Sequence, residues 1–253
     1  MPEVSMNITT QNGVMPTFVA LPVGQGPFPA TILYMDIWGM RDQLRNIARF
    51  VAKNGFVCAA PSLYYRAGNT HFDYRHTDGR TKSISILADE DRNELLNYNA
   101  HLTDDMVVSD TAALISQLRQ IDCVSNGFAG CFGYCMGGRH VVKVAAALPD
   151  VFRATASFHG TSLATSKPDS PHRLSQNIKG EIYFGIGAND PFTPPDLVET
   201  VRAAFMANDA TTTFTIHEET EHGYALPDRD VYNERATNRD WEQIFAMFKR
   251  MLR

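Results

Sequence analysis

Short apolar runs alternate along the chain with longer segments whose apolar residues recur every three to four positions. "VMPTFVALP", "ATILYMD", "FVCAAP", "FAGCF", "RATASFHG", "EIYFGIG" and "TTTFTIHE" are brief and mostly apolar, which predicts strands. The unbroken run in "ATILYM" suits a sheet covered on both faces. Between these runs the period is helical. "MRDQLRNIARFVAKNG" places Leu44, Ile47, Phe50 and Val51 on one stripe and stops at Gly55. "DDMVVSDTAALISQLRQI" resumes the period, and "GGRHVVKVAAALP" aligns Val141, Ala145 and Leu148. "PPDLVETVRAAFMAND" opens on prolines, which the first helical turn tolerates, and stripes Leu197, Val201 and Phe205. The closing helix stripes Trp241, Ile244, Phe245, Phe248 and Leu252.

This alternation predicts an α/β chain, residues 1–253 forming one domain. A mostly parallel sheet of about seven or eight strands is expected, with helices on both faces. The pattern breaks between about residues 62 and 104. That stretch is polar and rich in Tyr, Arg, His and Asn, with a short helix expected near Ala88 to Tyr98. A long irregular excursion in a compact domain usually carries function. Its Tyr64, Tyr65, Arg66, Tyr74 and His76 either line a cleft mouth or cover the sheet edge.

Composition changes the picture mainly by exclusion. The 253 residues are 44% hydrophobic and 20% charged, with a net charge of −5. No basic footprint points to nucleic acid or to an anionic membrane surface. No apolar run approaches a membrane span, and "MPEVSMNITTQNG" lacks the regions of a secretory signal. A cytoplasmic setting with reduced thiols is therefore expected for Cys58, Cys123, Cys131 and Cys135. Cys131 and Cys135 lack a second Cys/His pair at zinc spacing, so no metal is expected. Cys58, Cys123 and Cys131 read as small buried hydrophobes.

In a parallel sheet, ligands bind beyond the carboxyl ends of the strands. Four loops leave those ends with chemically suggestive residues. They are Asp36-Ile37-Trp38-Gly39, Gly133-Tyr134-Cys135-Met136-Gly137-Gly138, Ala188-Asn189-Asp190-Pro191 and Glu221-His222-Gly223-Tyr224. Cys135 sits where a strand must reverse into a helix, and the flanking glycines allow a close crossing. Such a turn lifts the thiol into the cleft at the positive end of the following helix, which favours a thiolate over the free value of about 8.5. His222 would move the proton, and Asp190 would fix its tautomer. The Met136 N–H and the Ile37 N–H are the expected oxyanion donors, each worth roughly 3 kcal/mol of transition-state stabilisation.

"MDIWGM", "APSLYYR", "GCFGYCMGGR", "GANDPF" and "EHGYA" together resemble the dienelactone hydrolase family, a branch of the α/β-hydrolases. The resemblance runs over most of the chain and implies the α/β-hydrolase fold. It also implies a triad of Cys135, Asp190 and His222, no cofactor, and cleavage of a cyclic enol-lactone to an open-chain dicarboxylate. The family places a glutamate after the third strand, thought to hold the resting thiol neutral; Asp36 stands there in this chain. Family members that act on dienelactone carry substrate-binding arginines, for which Arg92 is the counterpart in the excursion. A second lies four residues after the histidine, where this chain has Leu226, with Arg229 displaced nearby. Trp38 and Tyr64 are the further substrate-facing candidates.

The leading expectation is a cysteine hydrolase that opens a lactone or small ester through a thioester acyl-enzyme. Its partner is a small-molecule substrate, and no signal for an oligomeric state stands out. A carboxylesterase of different acyl preference, a non-catalytic small-molecule binding protein on the same fold and a redox thiol remain open on sequence.

Overall fold

Full burial of every position in Ala30–Tyr34 (β3), Val57–Pro61 (β4) and Ala129–Tyr134 (β5) explains why these runs are continuously apolar rather than alternating. The computed structural model describes residues 1–68, 71–208 and 211–252. Around the buried strands lie Glu3–Thr10 (β1), Gly13–Ala20 (β2), Phe152–Phe158 (β6), Glu181–Gly187 (β7) and Thr211–His217 (β8). One sheet runs β1-β2-β4-β3-β5-β6-β7-β8. β2 is antiparallel to β1 and to β4, and every later pairing is parallel. This is the α/β-hydrolase arrangement, with all parallel carboxyl ends on one rim.

β1 has no counterpart among the predicted strands. "EVSMNITT" is largely exposed and pairs along one edge only, from Glu3 opposite Ala20 to Thr10 opposite Gly13. An edge strand needs little apolar surface, so a hydropathy pattern passes over it.

The helices are Asp42–Lys53 (α1), Asp89–His101 (α2), Asp104–Leu118 (α3), Met136–Ala147 (α4), Pro195–Met206 (α5) and Glu234–Met251 (α6). α1 and α6 share one face, where Phe50 meets Trp241 and Phe245 edge-on. Trp241 and Phe248 continue that seam onto Phe132 of β5. α3 and α4 cover the opposite face, and Tyr34 of β3 shares a 2.7 Å hydrogen bond with Thr111 of α3. Thr103 and Asn233 cap α3 and α6 by accepting from Met106 and Ala236 backbone N–H groups. Among the described residues no helix is long and apolar enough to cross a membrane.

The excursion folds into two 3₁₀ turns, Leu63–Ala67 and Ile84–Ile86, followed by α2, which replaces the shorter predicted helix. It is anchored rather than loose. The Thr81 N–H donates to the Asp228 carbonyl at 2.7 Å, and the Ser83 hydroxyl donates to Asp230 at 2.9 Å. Tyr64, Phe72, Tyr74 and Tyr98 pack ring to ring, and Tyr74 also meets Trp38.

Asp240 of α6 is fully buried and accepts from Tyr183 of β7 at 2.6 Å, Tyr224 at 2.7 Å and His217 of β8 at 2.5 Å. One carboxylate thus joins the last helix, two strands and the loop after β8. Asp240→Ala leaves those buried donors without an acceptor and should lower unfolding free energy by about 3 kcal/mol in urea titration. Asp240→Asn, which keeps an acceptor oxygen, should cost less.

Candidate active site

The turn from β5 to α4 contains a single residue, Cys135, with φ 57° and ψ −116°. That conformation is costly for a residue with a side chain and persists only where the surroundings impose it. Here they do. A Cβ on Gly133 would lie 2.5 Å from the Gly137 carbonyl group, and one on Gly137 would lie 2.5 Å from the Tyr34 carbonyl oxygen. Only bare backbone fits both crossings. The Cys135 N–H donates to Phe158 at 3.1 Å, and its carbonyl accepts from Thr161 at 3.1 Å, fixing the turn to the end of β6. Cys135 is 9% exposed, so the sulfur is reached from a pocket rather than from open surface.

Asp190, in the loop after β7, is buried. One carboxylate oxygen accepts from the Phe192 N–H and the other from His222 Nδ1, both at 2.8 Å. Nδ1 therefore carries a proton, and Nε2 is left to act. Nε2 is buried and meets no partner in strict hydrogen-bond geometry, yet it is near enough to Cys135 for a thiolate charge to act on it. Burial opposes charge on His222, but the Cys135 thiolate and the Asp190 hydrogen bond outweigh it and push its pKa up to about 9. The three side chains singled out in sequence are thus brought together.

Ile37 and Met136 both border the same pocket as Cys135 and His222. Among the described residues no acceptor takes the backbone N–H of either one. The Tyr64 hydroxyl donates to the Ile37 carbonyl at 3.0 Å and reaches the Met136 sulfur at 3.6 Å. Tyr64 is buried behind this loop instead of lining the pocket, so its position is that of a support, not of a substrate contact.

Asp36 departs from its expected gating position. It is completely buried, and both its oxygens bind Arg41, at 2.6 and 3.0 Å. Arg41 also grips Asp228 at 2.5 and 3.2 Å. The carboxylate is one methylene shorter than a glutamate and is committed to a guanidinium, not to the thiol. The resulting bridge ties the loop after β3 to the loop after His222. Burial alone would lower the Arg41 pKa, but the two carboxylates raise it above its ordinary value.

Arg92 also lies elsewhere. It pairs with Asp89 on its own helix, lies beyond the pocket lining, and behaves as a half-exposed helix charge. Leu226 is fully buried. Arg229 instead enters the pocket, 3% exposed, with its guanidinium 5.5 Å from the Trp38 ring centre. Its polar neighbours are distant: Ser83 at 3.5 Å and Asp230 at 4.0 Å. Gly223, at φ 100°, makes the room, because a Cβ there would lie 2.9 Å from the guanidinium. The pocket itself holds about 200 Å³, and Trp38, Ile84, Leu96 and Phe192 give it apolar walls. Tyr65 and Arg66 bind Asp110, and His76 binds Asp230; these excursion residues brace the structure outside the pocket.

Sequence reasoning missed three neighbours. Arg41 stands five residues after Asp36, but its partner Asp228 is far along the chain. Phe192 packs edge-on against His222, with ring centres 4.7 Å apart. His159, at the end of "RATASFHG", is fully buried with its ring centre 4.8 Å from that of His222. Burial, then the nearby His222 and Arg229 charges, hold His159 well below the ordinary histidine range, so it is neutral. Its place just past a strand was the available signal. Among the described residues no His, Cys, Asp and Glu cluster is arranged to hold a metal ion.

The profile of the "Dienelactone hydrolase family" matches residues 15–252. A Synechocystis sp. protein described as "Putative carboxymethylenebutenolidase" is 26% identical over 98% of this chain and 96% of its own length. The crystal structure of a "Putative Dienelactone Hydrolase" from Klebsiella pneumoniae superposes with a TM-score of 0.84 at 25% identity, covering 98% of both chains. A dienelactone hydrolase-like promiscuous phosphotriesterase from metagenomic libraries shares the fold, with a TM-score of 0.79 at 17% identity over 100% of this chain and 99% of its own.

A raised His222 pKa makes stability depend on pH. The folded state binds that proton more tightly than the unfolded chain, whose histidine titrates near 6.5. The stabilisation is whole below about 6.5 and is lost as pH rises through about 9. Urea midpoints should therefore fall across that window, and His222→Gln should remove this part of the slope.

Proposed function

The chain belongs to the dienelactone hydrolase family, hydrolases acting on carboxylic ester bonds, and we propose that it works by cysteine-dependent acyl transfer on a small ester or lactone. The observation that carries this reading is the strained Cys135 turn opening onto the pocket that also receives His222, itself held by Asp190. Cys135 Sγ, as the thiolate beside a protonated His222, attacks the ester carbon and forms the S–C bond. The developing oxyanion is taken by the Ile37 and Met136 N–H groups. Collapse breaks the C–O bond, and the leaving alkoxide takes the His222 proton. Neutral His222 then draws a proton from water, the hydroxide attacks the thioester, and collapse breaks the S–C bond, returning Cys135 to thiolate with His222 protonated; the acid departs and gives its proton to solvent, becoming the carboxylate. In a lactone both halves stay joined, and the product is one open-chain hydroxy or oxo acid.

Arg229 bears on the choice between lactone acids and plain esters. A guanidinium inside an apolar pocket, with only long polar contacts, is suited to a substrate carboxylate. It supplies the positive group that Leu226 lacks. A neutral-ester carboxylesterase is the second reading, favoured by the apolar pocket walls and by the position of Arg92 outside them.

Cys135→Ala should abolish ester turnover and eliminate the acyl-enzyme mass adduct seen with slow substrates. Cys58→Ala and Cys131→Ala should retain most activity, because burial pushes both thiols up to about 12 and keeps them inert. Equal loss in all three would point to folding and defeat the assignment. Arg229→Met should raise KM at least about tenfold for carboxylate-bearing lactones relative to neutral aryl esters, the loss of a charge-assisted hydrogen bond. An unchanged ratio would favour the neutral-ester reading.

A further inference from the structure

A second cavity, of about 430 Å³, adjoins the pocket of Cys135 and shares Asn99, Met136, Thr161 and Ser162 with it. Its character is different. Where the first pocket is walled by apolar side chains, this one is lined mainly by hydroxyl, amide, imidazole and charged groups from the end of α2, the start of α3, the first two turns of α4 and the loop after β6.

The charges along its wall are mutually compensated. Asp104 accepts from Arg139 and from His140 Nδ1 at 3.1 Å, with Lys143 at 3.4 Å. Lys143 also binds Asp169 at 3.1 Å. Lys167 and Asp105 add one charge of each sign. Such a wall has little net attraction for an ion.

Two polar atoms of its lining residues are nonetheless unsatisfied. A carboxylate can only accept, so Nδ1 of His140 carries a hydrogen; Nε2 accepts in the neutral ring and donates in the charged one, and a hydroxyl satisfies it in either state. That Nε2 is buried, on a side chain 5% exposed, and has no partner among the described residues. The Arg139 Nε is likewise buried without an acceptor. Ser162 holds φ at 52°, a strained backbone of the kind that collects at functional positions. The preceding residue, Thr161, is bonded through its N–H to the Cys135 carbonyl at 3.1 Å, so this loop belongs to both compartments. Buried acceptors and donors side by side, without net charge, match groups that both give and take hydrogen bonds. Alcohol hydroxyls do this; a carboxylate or phosphate only accepts.

We propose that this cavity is a second compartment of the substrate site, binding a hydroxyl-bearing extension of the ester through His140 Nε2, Arg139 and the Thr161–Ser162 loop. The inference rests on the cysteine-hydrolase reading for the orientation of the ester, not for the binding itself. It makes the substrate class a polar, hydroxylated ester or lactone with a small apolar portion beside Trp38 and Phe192.

Two matched pairs of esters test it. Glyceryl butyrate against propyl butyrate places hydroxyls on the alcohol side; methyl ω-hydroxyhexanoate against methyl hexanoate places one on the acyl side. Affinities are measured by titration calorimetry on Cys135→Ala, which the proposed mechanism leaves unable to turn over, with product assayed in the same cell. The hydroxylated member should bind about tenfold tighter in at least one pair, the worth of one or two hydrogen bonds to buried groups. That advantage should fall toward unity when His140→Phe or Ser162→Ala is added; Ser162 is exposed, so its variant reports even if the buried histidine is needed for folding. Equal affinity in both pairs, absence of binding included, would overturn the compartment, as would a preference that survives both added substitutions. Hydrolysis by the unsubstituted protein is read separately. A binding preference without hydrolysis defeats the cysteine-hydrolase reading and leaves the compartment standing, while hydrolysis without preference does the reverse.

Discussion

Bare backbone meeting bare backbone at Gly137 is the constraint from which the site follows. The carbonyl oxygens of Tyr34 and Met35 stand 2.5 and 2.6 Å from where a Cβ would be. α4 can therefore start directly against the end of β3 only because residue 137 has no side chain. That approach puts the Met136 N–H and the Ile37 loop on the same pocket and leaves Cys135 no relaxed conformation. Gly138 continues the contact on the other side, where its Cβ would lie 2.7 Å from Gly160. Sheet packing, helix placement and thiol exposure are thus one geometric fact.

The elbow fixes the sulfur, and separate ties fix what must meet it. Arg41 bridges Asp36 to Asp228, so the loop after β3 and the loop after His222 are clamped together. A buried ionic bridge of this kind contributes little net stability, because desolvation offsets most of its attraction. Here its effect is to hold two loops in register. Asp240 secures Tyr224, two residues beyond His222, and the excursion is stitched to the segment 228–230. The loop after β3, the segment after His222 and the excursion are thus each held at a second point by polar contacts.

Much of this was legible in the chain. The buried strands announce themselves as apolar runs, and each of Cys135, Asp190 and His222 lies just past one, where a parallel sheet gathers its ligands. β1 escaped because an edge strand can be polar. Asp36 was misread because its environment depends on Arg41 and on Asp228, a residue 187 positions further from that arginine. Arg92 escaped for the opposite reason: a solvated helix charge and a substrate-binding arginine look alike until burial is known. The same ambiguity hid His140 and His159. Both lie within predicted elements, and only burial, together with their unsatisfied ring nitrogens, sets them apart.

The placement of Asp240 ties the site to a helix that does not border the pocket. Its carboxylate belongs to α6, an 18-residue helix over Glu234–Met251. Until that helix docks, Tyr183, His217 and Tyr224 lack their shared acceptor, and the segment carrying His222 has no anchor on that side. Docking of α6 and order in the segment that carries His222 are therefore coupled through one carboxylate, so a change that loosens that helix would disturb the pocket from the far side of the sheet.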